Sequence, residues 1–318
     1  MEIVKLRKEH IVEASKLALE NYQEECSKIN ALPEVNNIPD LAPFADNEFG
    51  VAAFEGNKML GFIGCYNPWE RAFDSNVKGT FTPVHAHGCV KENRCRIYQL
   101  MYTKMAEMLV DKGVLYHAIA LYEHDTEAIE AYFHSGFGHR CADAIRRMEL
   151  INEVPNINGI VFEEISSNEA GMVRELRRGL SSHLGESSCF MYTTEDEFEH
   201  WVKKRENNGN RIFIAKENEK LIAFIEISDD AESFVAELPN VKNICGAYCL
   251  QEYRGKQIVQ NLINYVIKVL RQEGFKYLGV DYESFNVTAY NFWTKYFEPY
   301  TCSVTRRIDE CILKKVTT

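Results

Sequence analysis

The feature that most constrains this chain is an internal repeat. One segment reads KGVLYHAIALYEHDTEAIEAYFHSGF, and a later one reads EGFKYLGVDYESFNVTAYNFWTKYF. Equivalent positions keep a constant separation, because Gly274 lies 161 residues after Gly113 and Ala289 lies 161 residues after Ala128. A constant separation over most of a chain of 318 residues indicates a duplicated domain. Each copy would then have about 150 residues, an ordinary domain length.

The boundary between the two copies is expected in the run INEVPNING, where asparagine, proline and glycine interrupt the apolar periodicity. We therefore predict an N-terminal domain at residues 1–152 and a C-terminal domain at residues 157–318. In both halves, apolar runs joined by polar turns precede a strand, a long amphipathic helix, a second strand, a short helix and a last strand. Hairpins followed by βαβ units predict a mixed α/β fold, in which each domain has a central mixed β-sheet flanked by helices.

Composition and charge narrow the classes of function. The chain has 36 Lys and Arg against 47 Asp and Glu, so a nucleic-acid surface, which needs clustered positive charge, is not expected. No apolar run approaches the ~20 residues that span a bilayer, and the N-terminal sequence becomes charged too soon for a signal peptide. We therefore expect a cytoplasmic protein without a membrane partner. His85, His87 and Cys89 lack the further ligands of a zinc site nearby, so no metal is predicted.

A candidate phosphate-binding loop precedes the long helix of the second half. The sequence from Ile244 to Ile258 reads ICGAYCLQEYRGKQI, a strand followed by a turn with a glycine and two cations and then by a helix N-terminus. Such a turn combines backbone N–H donors, the positive end of the helix dipole and positive charge, which together suit a pyrophosphate. A plain strand-to-helix turn with two solvated cations is the alternative.

These residues resemble a known family. The run YRGKQI, from Tyr253 to Ile258, resembles the acetyl-coenzyme A (acetyl-CoA) pyrophosphate loop of the GNAT N-acetyltransferase superfamily, and NVTAYNFWTK, which begins at Asn286, resembles a later helix of that superfamily. The closing run FWTKYFEPYTCSVTRRID is similar to the end of bacterial members with two domains. The resemblance implies two tandem GNAT-like domains, acetyl-CoA as co-substrate and a small-molecule or peptide amine as acceptor.

The resemblance also assigns roles in the second half. It implies that backbone N–H groups around Tyr248, Cys249 and Leu250 hold the pantetheine arm and polarise the thioester carbonyl. The loop and the first helical turn would hold the pyrophosphate, and Asn286 would orient the arm. The full set implied to bind acetyl-CoA is Tyr248, Cys249, Leu250, Arg254, Gly255, Lys256, Gln257, Ile258, Val259, Asn286 and Trp293.

Departures from the family pattern distinguish the two halves. The second half has Gln257 and Val259 where the superfamily has small residues, which is expected either to narrow the phosphate cradle or to shift the ligand. The first half has NRCRIY at residues 93–98, without glycine, so its two arginines either meet a phosphate or belong to a degenerate loop on a structural domain. Conversely, Tyr132 keeps the tyrosine that protonates the departing thiolate in the superfamily, whereas Trp293 cannot deliver that proton.

Other groups in the second half are candidates for the acid and the base. Tyr248, Tyr282 and Tyr296 are alternative proton donors, and Asp281 and Glu283 at a strand end are candidates to deprotonate the acceptor. The catalytic candidates are Tyr132, Asp281, Glu283 and Tyr296. We expect an N-acetyltransferase, monomeric or homodimeric, with acetyl-CoA in the C-terminal domain. Activity in the N-terminal half, a non-catalytic acyl-CoA binding or sensor protein, and an interaction module that keeps only the fold remain alternatives.

Overall fold

The computed structural model describes residues 1–186, 188–229, 233–309 and 311–312. Its helices are α1 (Ile11–Cys26), α2 (Ala42–Ala45), α3 (Arg94–Asp111), α4 (Thr126–His134), α5 (Arg174–Gly185), α6 (Glu195–Asn207), α7 (Ile258–Gln272) and α8 (Val287–Tyr296). Its strands are β1 (Glu2–Lys5), β2 (Val51–Glu55), β3 (Lys58–Ile63), β4 (Lys78–Thr82), β5 (His87–Cys89), β6 (Val114–Tyr122), β7 (Gly138–Arg147), β8 (Ile160–Ile165), β9 (Arg211–Glu217), β10 (Lys220–Ser228), β11 (Val241–Cys249), β12 (Tyr277–Glu283), β13 (Glu298–Pro299) and β14 (Thr301–Arg307). This alternation of strands and helices confirms the predicted mixed α/β class.

The contacts divide the chain into two units. The first comprises Met1–Ala142 together with the C-terminal segment from Pro299, and the second is Asp143–Glu298. The last strand of the chain therefore belongs to the first unit, and β7 begins in the first unit and ends in the second. The boundaries 1–152 and 157–318, drawn from the repeat, stay a prediction. In the parts of the chain that the structure describes, no helix is long and apolar enough to cross a membrane.

Two sheets organise the first unit. One is antiparallel, in the order β1-β2-β3-β5. In the other, β4 is parallel to β6, and β14 lies antiparallel between β6 and the start of β7. Helices α3 and α4 pack on these strands through buried apolar side chains such as Ile97, Met101, Leu121 and Tyr132.

The second unit is built on the sheet order β12-β11-β10-β9-β8. Neighbours from β8 to β11 are antiparallel, whereas β11 and β12 are parallel. The long helix α7 forms where the sequence predicts a long amphipathic helix, and six apolar residues on one of its faces are buried: Ile258, Leu262, Ile263, Val266, Ile267 and Leu270. It ends just before Gly274, whose φ of +96° is the left-handed conformation that glycine supplies after a helix.

Candidate functional site

The parallel strands β11 and β12 separate part-way along their length. Their pairing ends at Ile244 and Val280, although β11 continues to Cys249 and β12 to Glu283. The separated part of β11 stays paired with β10 on its other side. Backbone groups that β11 turns toward β12 beyond Ile244 therefore form an open edge, on which an extended chain can dock.

A β-bulge at Cys245 marks the point of separation. The register with β10 shifts between Glu226 and Ile227, and Cys245 is the extra residue on β11. Arg205 from α6 holds the bulge, because its guanidinium donates to Cys245 Sγ at 2.6 Å and to Cys245 O at 2.7 Å. Burial raises the pKa of the Cys245 thiol to about 12. The thiol therefore stays protonated near neutral pH and is a structural group rather than a nucleophile.

A buried ionic cluster lies beside this bulge. Glu226 on β10 has Oε1 at 3.2 Å from an Arg177 guanidinium nitrogen, and both side chains are fully buried. Asn210 Nδ2 donates to the same oxygen at 2.9 Å, and Arg205 lies 3.7 Å from it. A buried carboxylate is costly without such partners, so these groups fix α5 and α6 against the sheet. No sequence pattern marks them, because the partners are distant along the chain.

The three strand residues implied to hold the pantetheine arm are not equivalent. The Leu250 N–H donates to Ile222 O at 2.9 Å. Because hydrogen bonding alternates along an antiparallel pair, the Cys249 N–H then turns away from β10 toward the open edge. The Cys249 carbonyl already accepts from Arg254 Nε at 3.2 Å. The Cys249 N–H, rather than that of Leu250, is therefore placed to bind a ligand at this edge.

Tyr248 lies under the first turn of the loop. The Arg254 guanidinium lies 5.4 Å from the centroid of the Tyr248 ring. On its other side α5 approaches closely, since a Cβ atom added to Gly179 would lie 2.6 Å from the ring. Glycine at this position of α5 is thus required for the helix to pack on β11.

The loop between β11 and α7 presents two cations before a helix N-terminus. Arg254, Gly255 and Lys256 are exposed. Gly255 has a φ of +76°, and the space where a side chain would stand is open. The first N–H groups of α7 have no acceptor within the helix, and Gln257, the N-cap residue, makes no side-chain capping bond. These donors and charges are available to a phosphate.

Gln257 and Val259, which stand where the superfamily has small residues, differ in their surroundings. Gln257 adopts a left-handed φ of 61°, and its Oε1 is buried without a hydrogen-bond partner among the residues that the structure describes. Val259 is half-buried on α7. Ile258, between them, lies in the core of the unit, so only its backbone can face a ligand. A water molecule or a ligand donor can satisfy this amide oxygen.

Asn286 forms the N-cap of α8. Its Oδ1 accepts from Ala289 N at 3.2 Å and from Thr288 Oγ1 at 2.8 Å. His183 from α5 lies 3.4 Å from the same oxygen and 3.0 Å from Thr288 Oγ1. Asn286 is therefore held in place by two elements of the second unit. No sequence pattern marks His183, because it stands alone on α5 without a recognisable motif.

The aromatic candidates of the second unit occupy packed positions. Trp293 is buried, with Phe297 edge-on at 5.3 Å between ring centroids. Tyr282 is also buried and lies edge-on to Tyr290 at 6.3 Å. The Tyr296 hydroxyl accepts from Gln260 Nε2 at 3.1 Å, which places it beside the first turn of α7.

Asp281 stands one residue beyond the point at which β12 leaves β11. It is exposed to solvent on one side, yet enough protein surrounds it to raise the pKa of its carboxyl, an effect that Arg205 partly offsets. An accessible carboxylate with a raised pKa has the properties of a proton acceptor. Glu283 follows two residues later and is half-buried. Burial raises the pKa of the nearby Cys189 thiol, and the charge of Glu283 raises it further.

The corresponding loop of the first unit is closed by its own side chains. Helix α3 begins at Arg94, three positions before Ile97, which is the counterpart of the first residue of α7. Arg94 is almost fully buried and pairs with Glu24 at 3.0 Å and with Asp125 at 3.1 Å. Asp125, the counterpart of Asn286 in the repeat, caps α4. The arrangement favours the degenerate loop over a phosphate site in this half.

Tyr132 lies in the apolar core of the first unit. It is 2% exposed and packs against Tyr98, Tyr102 and Phe137. Its hydroxyl has no hydrogen-bond partner within the described ranges, and burial raises its pKa well above the ordinary tyrosine value. In this packing the hydroxyl faces protein and not a cleft.

Comparisons with known proteins agree with this geometry. Residues 176–298, which include the separated strands, the loop and α8, match the acetyltransferase (GNAT) family. A GCN5-related N-acetyltransferase from Sphaerobacter thermophilus has a similar structure, with a TM-score of 0.56 and 10% identity over 93% of this chain and 93% of that chain.

A glucosamine N-acetyltransferase region of a fungal multi-domain GH3 β-N-acetylglucosaminidase has a TM-score of 0.53 and 13% identity, over 96% of this chain and 38% of that one. No curated protein sequence matches the chain. These identities support the fold alone, and the likeness in fold extends beyond the matched segment into both halves of the repeat. Residues 176–298 therefore match the acetyltransferase (GNAT) family in the half of the chain whose loop and helix motifs predict it.

Proposed function

We propose that the second unit binds acetyl-CoA and transfers its acetyl group to the amine of a small molecule or peptide. The observation that carries the proposal is the separation of β11 from β12 directly before a cationic loop and an uncapped helix N-terminus. All three features lie in the segment that matches the GNAT family.

The residues of this chain fit the two ends of such a ligand. Arg254, Lys256 and the first N–H groups of α7 would hold the pyrophosphate, where the space beside Gly255 is open. The Cys249 N–H and Asn286 would orient the arm along the open edge.

Asp281 is the proposed proton acceptor for the amine. Acetyl-CoA supplies the acetyl group as a thioester, whose C–S bond breaks as the amine nitrogen bonds to the carbonyl carbon. The amine enters as an ammonium ion, so one proton must leave before the nitrogen can react, and the Asp281 carboxylate accepts it. A second proton leaves the nitrogen after the C–N bond forms and passes to the departing thiolate or to solvent. The raised pKa of Asp281 strengthens it as a base relative to an ordinary aspartate.

The leaving thiolate needs no acid from the buried aromatic side chains. The second unit has Trp293 at the position where the superfamily has its proton-donating tyrosine, and Trp293 is buried in the core. A thiolate is a stable leaving group, and holding the two reactants together supplies several kcal/mol of the barrier. The proposal therefore assigns positioning and amine deprotonation to the chain.

Thiol release from acetyl-CoA in the presence of a panel of amines tests the proposal. The wild type is expected to acetylate at least one amine, and Asp281→Asn is expected to lower kcat by a factor of about 10²–10⁴. Glu219→Gln, an exposed acid in the turn between β9 and β10, is the matched control and should keep wild-type activity. Acetyl-CoA binding without turnover of any amine would instead indicate a binding or sensor protein, and no binding would indicate an interaction module.

A further inference from the structure

A cavity lies in the first unit, where the end of α1, the start of α3 and the turn between β6 and α4 meet. Its volume is about 220 Å³. One water molecule takes up about 30 Å³ of the liquid, so the cavity has room for a small organic molecule. Arg94 and Asp125, which close the loop of this half, form part of its wall. All the lining residues belong to the first unit, apart from the acetyl-CoA site proposed for the second.

Carboxylates outnumber cations in the walls of this cavity. The four acids are Glu24, Glu25, Asp125 and Glu127. The cations are Arg94, which pairs with two of these acids, and the exposed Lys28 and Lys91. Among the residues that the structure describes, neither Glu25 nor Glu127 has a lysine or arginine nitrogen within 4 Å. The walls therefore favour a cationic ligand over a phosphate.

Glu25 is the most buried of these acids, with a side chain that is 2% exposed. One of its oxygens lies 2.9 Å from His124 Nδ1, and the other accepts from the His124 backbone N–H at 3.2 Å. Burial raises the pKa of the Glu25 carboxyl, an effect that His124 partly offsets. An imidazole is charged only when it is protonated, so Glu25 has no permanent cation beside it. A buried carboxylate without such a partner is costly, which favours a cation from outside the chain.

Tyr122 supplies an unsatisfied polar atom to the same cavity. The residue is 2% exposed and lines the cavity, and its hydroxyl has no hydrogen-bond partner within the described parts of the chain. Its ring is held by Tyr22 and His87, at 6.2 and 6.4 Å between ring centroids. Burial raises the pKa of the hydroxyl well above its ordinary value, and the nearby Glu25 carboxylate raises it further. A buried hydroxyl without a partner beside a buried carboxylate indicates a ligand that bonds to both.

We propose that this cavity binds the ammonium group of a small organic amine, with Glu25 and the Tyr122 hydroxyl as its acceptors. An alkylammonium ion has three N–H donors and no acceptor, so it can bond to both groups at once and supply the charge that Glu25 lacks. In the described ranges, no group of three His, Cys, Asp or Glu side chains can hold a metal ion. The loop beside the cavity is closed by Arg94, so the amine is bound here without being acetylated. The site is independent of the acetyl transfer proposed for the second unit.

Ligand-observed NMR titration with three probes tests the inference. The probes are butylammonium, the neutral 1-butanol, and tetramethylammonium, which is a cation without N–H donors. The wild type is expected to bind butylammonium at least about tenfold more tightly than either of the other two.

Variants locate the site. Glu25→Gln and Tyr122→Phe should each lower the affinity for butylammonium about tenfold, because each removes a hydrogen bond to a charged group. Tyr122→Phe should keep the urea midpoint of the wild type without ligand, since its hydroxyl has no partner to lose among the described residues. Glu130→Gln, an exposed acid of α4 outside the cavity, is the matched control and should bind like the wild type. Asp281→Asn should also keep this binding, because Asp281 belongs to the second unit.

Four results would overturn the inference. The first is no saturable binding of butylammonium to the wild type. The second is equal binding of tetramethylammonium or 1-butanol, which would reduce the site to a negative field or an apolar hollow. The third is an unchanged affinity in Tyr122→Phe, which folds whether or not Glu25→Gln does. The fourth is binding that disappears in Asp281→Asn and survives in Glu25→Gln, which would place the amine in the second unit. Each of these results leaves acetyl-CoA binding by the second unit untouched.

Discussion

Replacing Arg94 with methionine is expected to destabilise the first unit while leaving acetyl-CoA binding unchanged. The guanidinium donates to Val90 O at 3.1 Å and to Cys89 O at 2.9 Å, in addition to its pairs with Glu24 and Asp125. Methionine fills part of the same volume but supplies none of these donors. The carboxylates of Glu24 and Asp125 would therefore lose the cation that pairs with both of them.

The magnitude follows from the burial of the two partners. Removing one member of a buried ion pair costs about 3–5 kcal/mol, because the remaining charge is left without compensation. The Asp125 side chain is 8% exposed and carries most of this cost, whereas Glu24 is 31% exposed and keeps contact with water. We therefore expect the lower end of the range, about 3 kcal/mol. With a slope of about 3 kcal/mol per molar urea, the unfolding midpoint falls by about 1 M.

Urea unfolding followed by circular dichroism measures this change. Arg96→Met is the matched control, because Arg96 belongs to the same sequence run but is exposed, and it should shift the free energy by less than about 0.5 kcal/mol. A loss under about 1 kcal/mol for Arg94→Met would refute the structural role of this arginine. Equal losses of acetyl-CoA affinity in both variants would instead restore a phosphate site in the first half.

Three further predictions concern the cores and the proposed base. His87 and His117 are buried, and burial lowers the pKa of each to about 4. As the pH falls below 6.5, the unfolded chain therefore takes up protons before the folded chain does. Each histidine should thus lower the free energy of unfolding by about 2 kcal/mol between pH 7 and pH 5, measured from urea midpoints. Gly179→Val should cost about 1–3 kcal/mol by thermal unfolding, since its Cβ meets the Tyr248 ring, whereas Gly171→Ala enters open space and should be neutral. The rate of acetyl transfer should fall as the pH falls through the raised pKa of Asp281, because the carboxylate becomes protonated. If the pH–rate profile of Asp281→Asn shows the same decrease at low pH, Asp281 is not the base.

The sequence predicts those parts of the fold that depend on local pattern. The stripe of α7, the glycine at position 274 and the turns between β2 and β3 and between β9 and β10 all follow from residue types at short spacing. Because the domain is duplicated, similar local patterns occur in both halves of the chain. The loop from Arg254 to Gln257 is recognisable for the same reason, since its glycine and cations are adjacent in the chain.

The remaining features depend on contacts between distant residues. Arg94 closes the first loop because Glu24, 70 residues earlier, and Asp125, 31 residues later, meet it in space. Arg205 reaches Cys245 across 40 residues. The placement of β14 in the first unit is likewise a property of tertiary pairing, because its sequence pattern suits any central strand.

The binding of acetyl-CoA to the second unit is tested most directly by calorimetric titration of acetyl-CoA into the wild type, Arg254→Glu and Arg96→Glu at one salt concentration. The wild type and Arg96→Glu are expected to bind one acetyl-CoA per chain, and Arg254→Glu is expected to bind none, because a carboxylate beside the pyrophosphate replaces attraction by repulsion. Binding that survives in Arg254→Glu and disappears in Arg96→Glu would place the ligand in the first half and contradict the account.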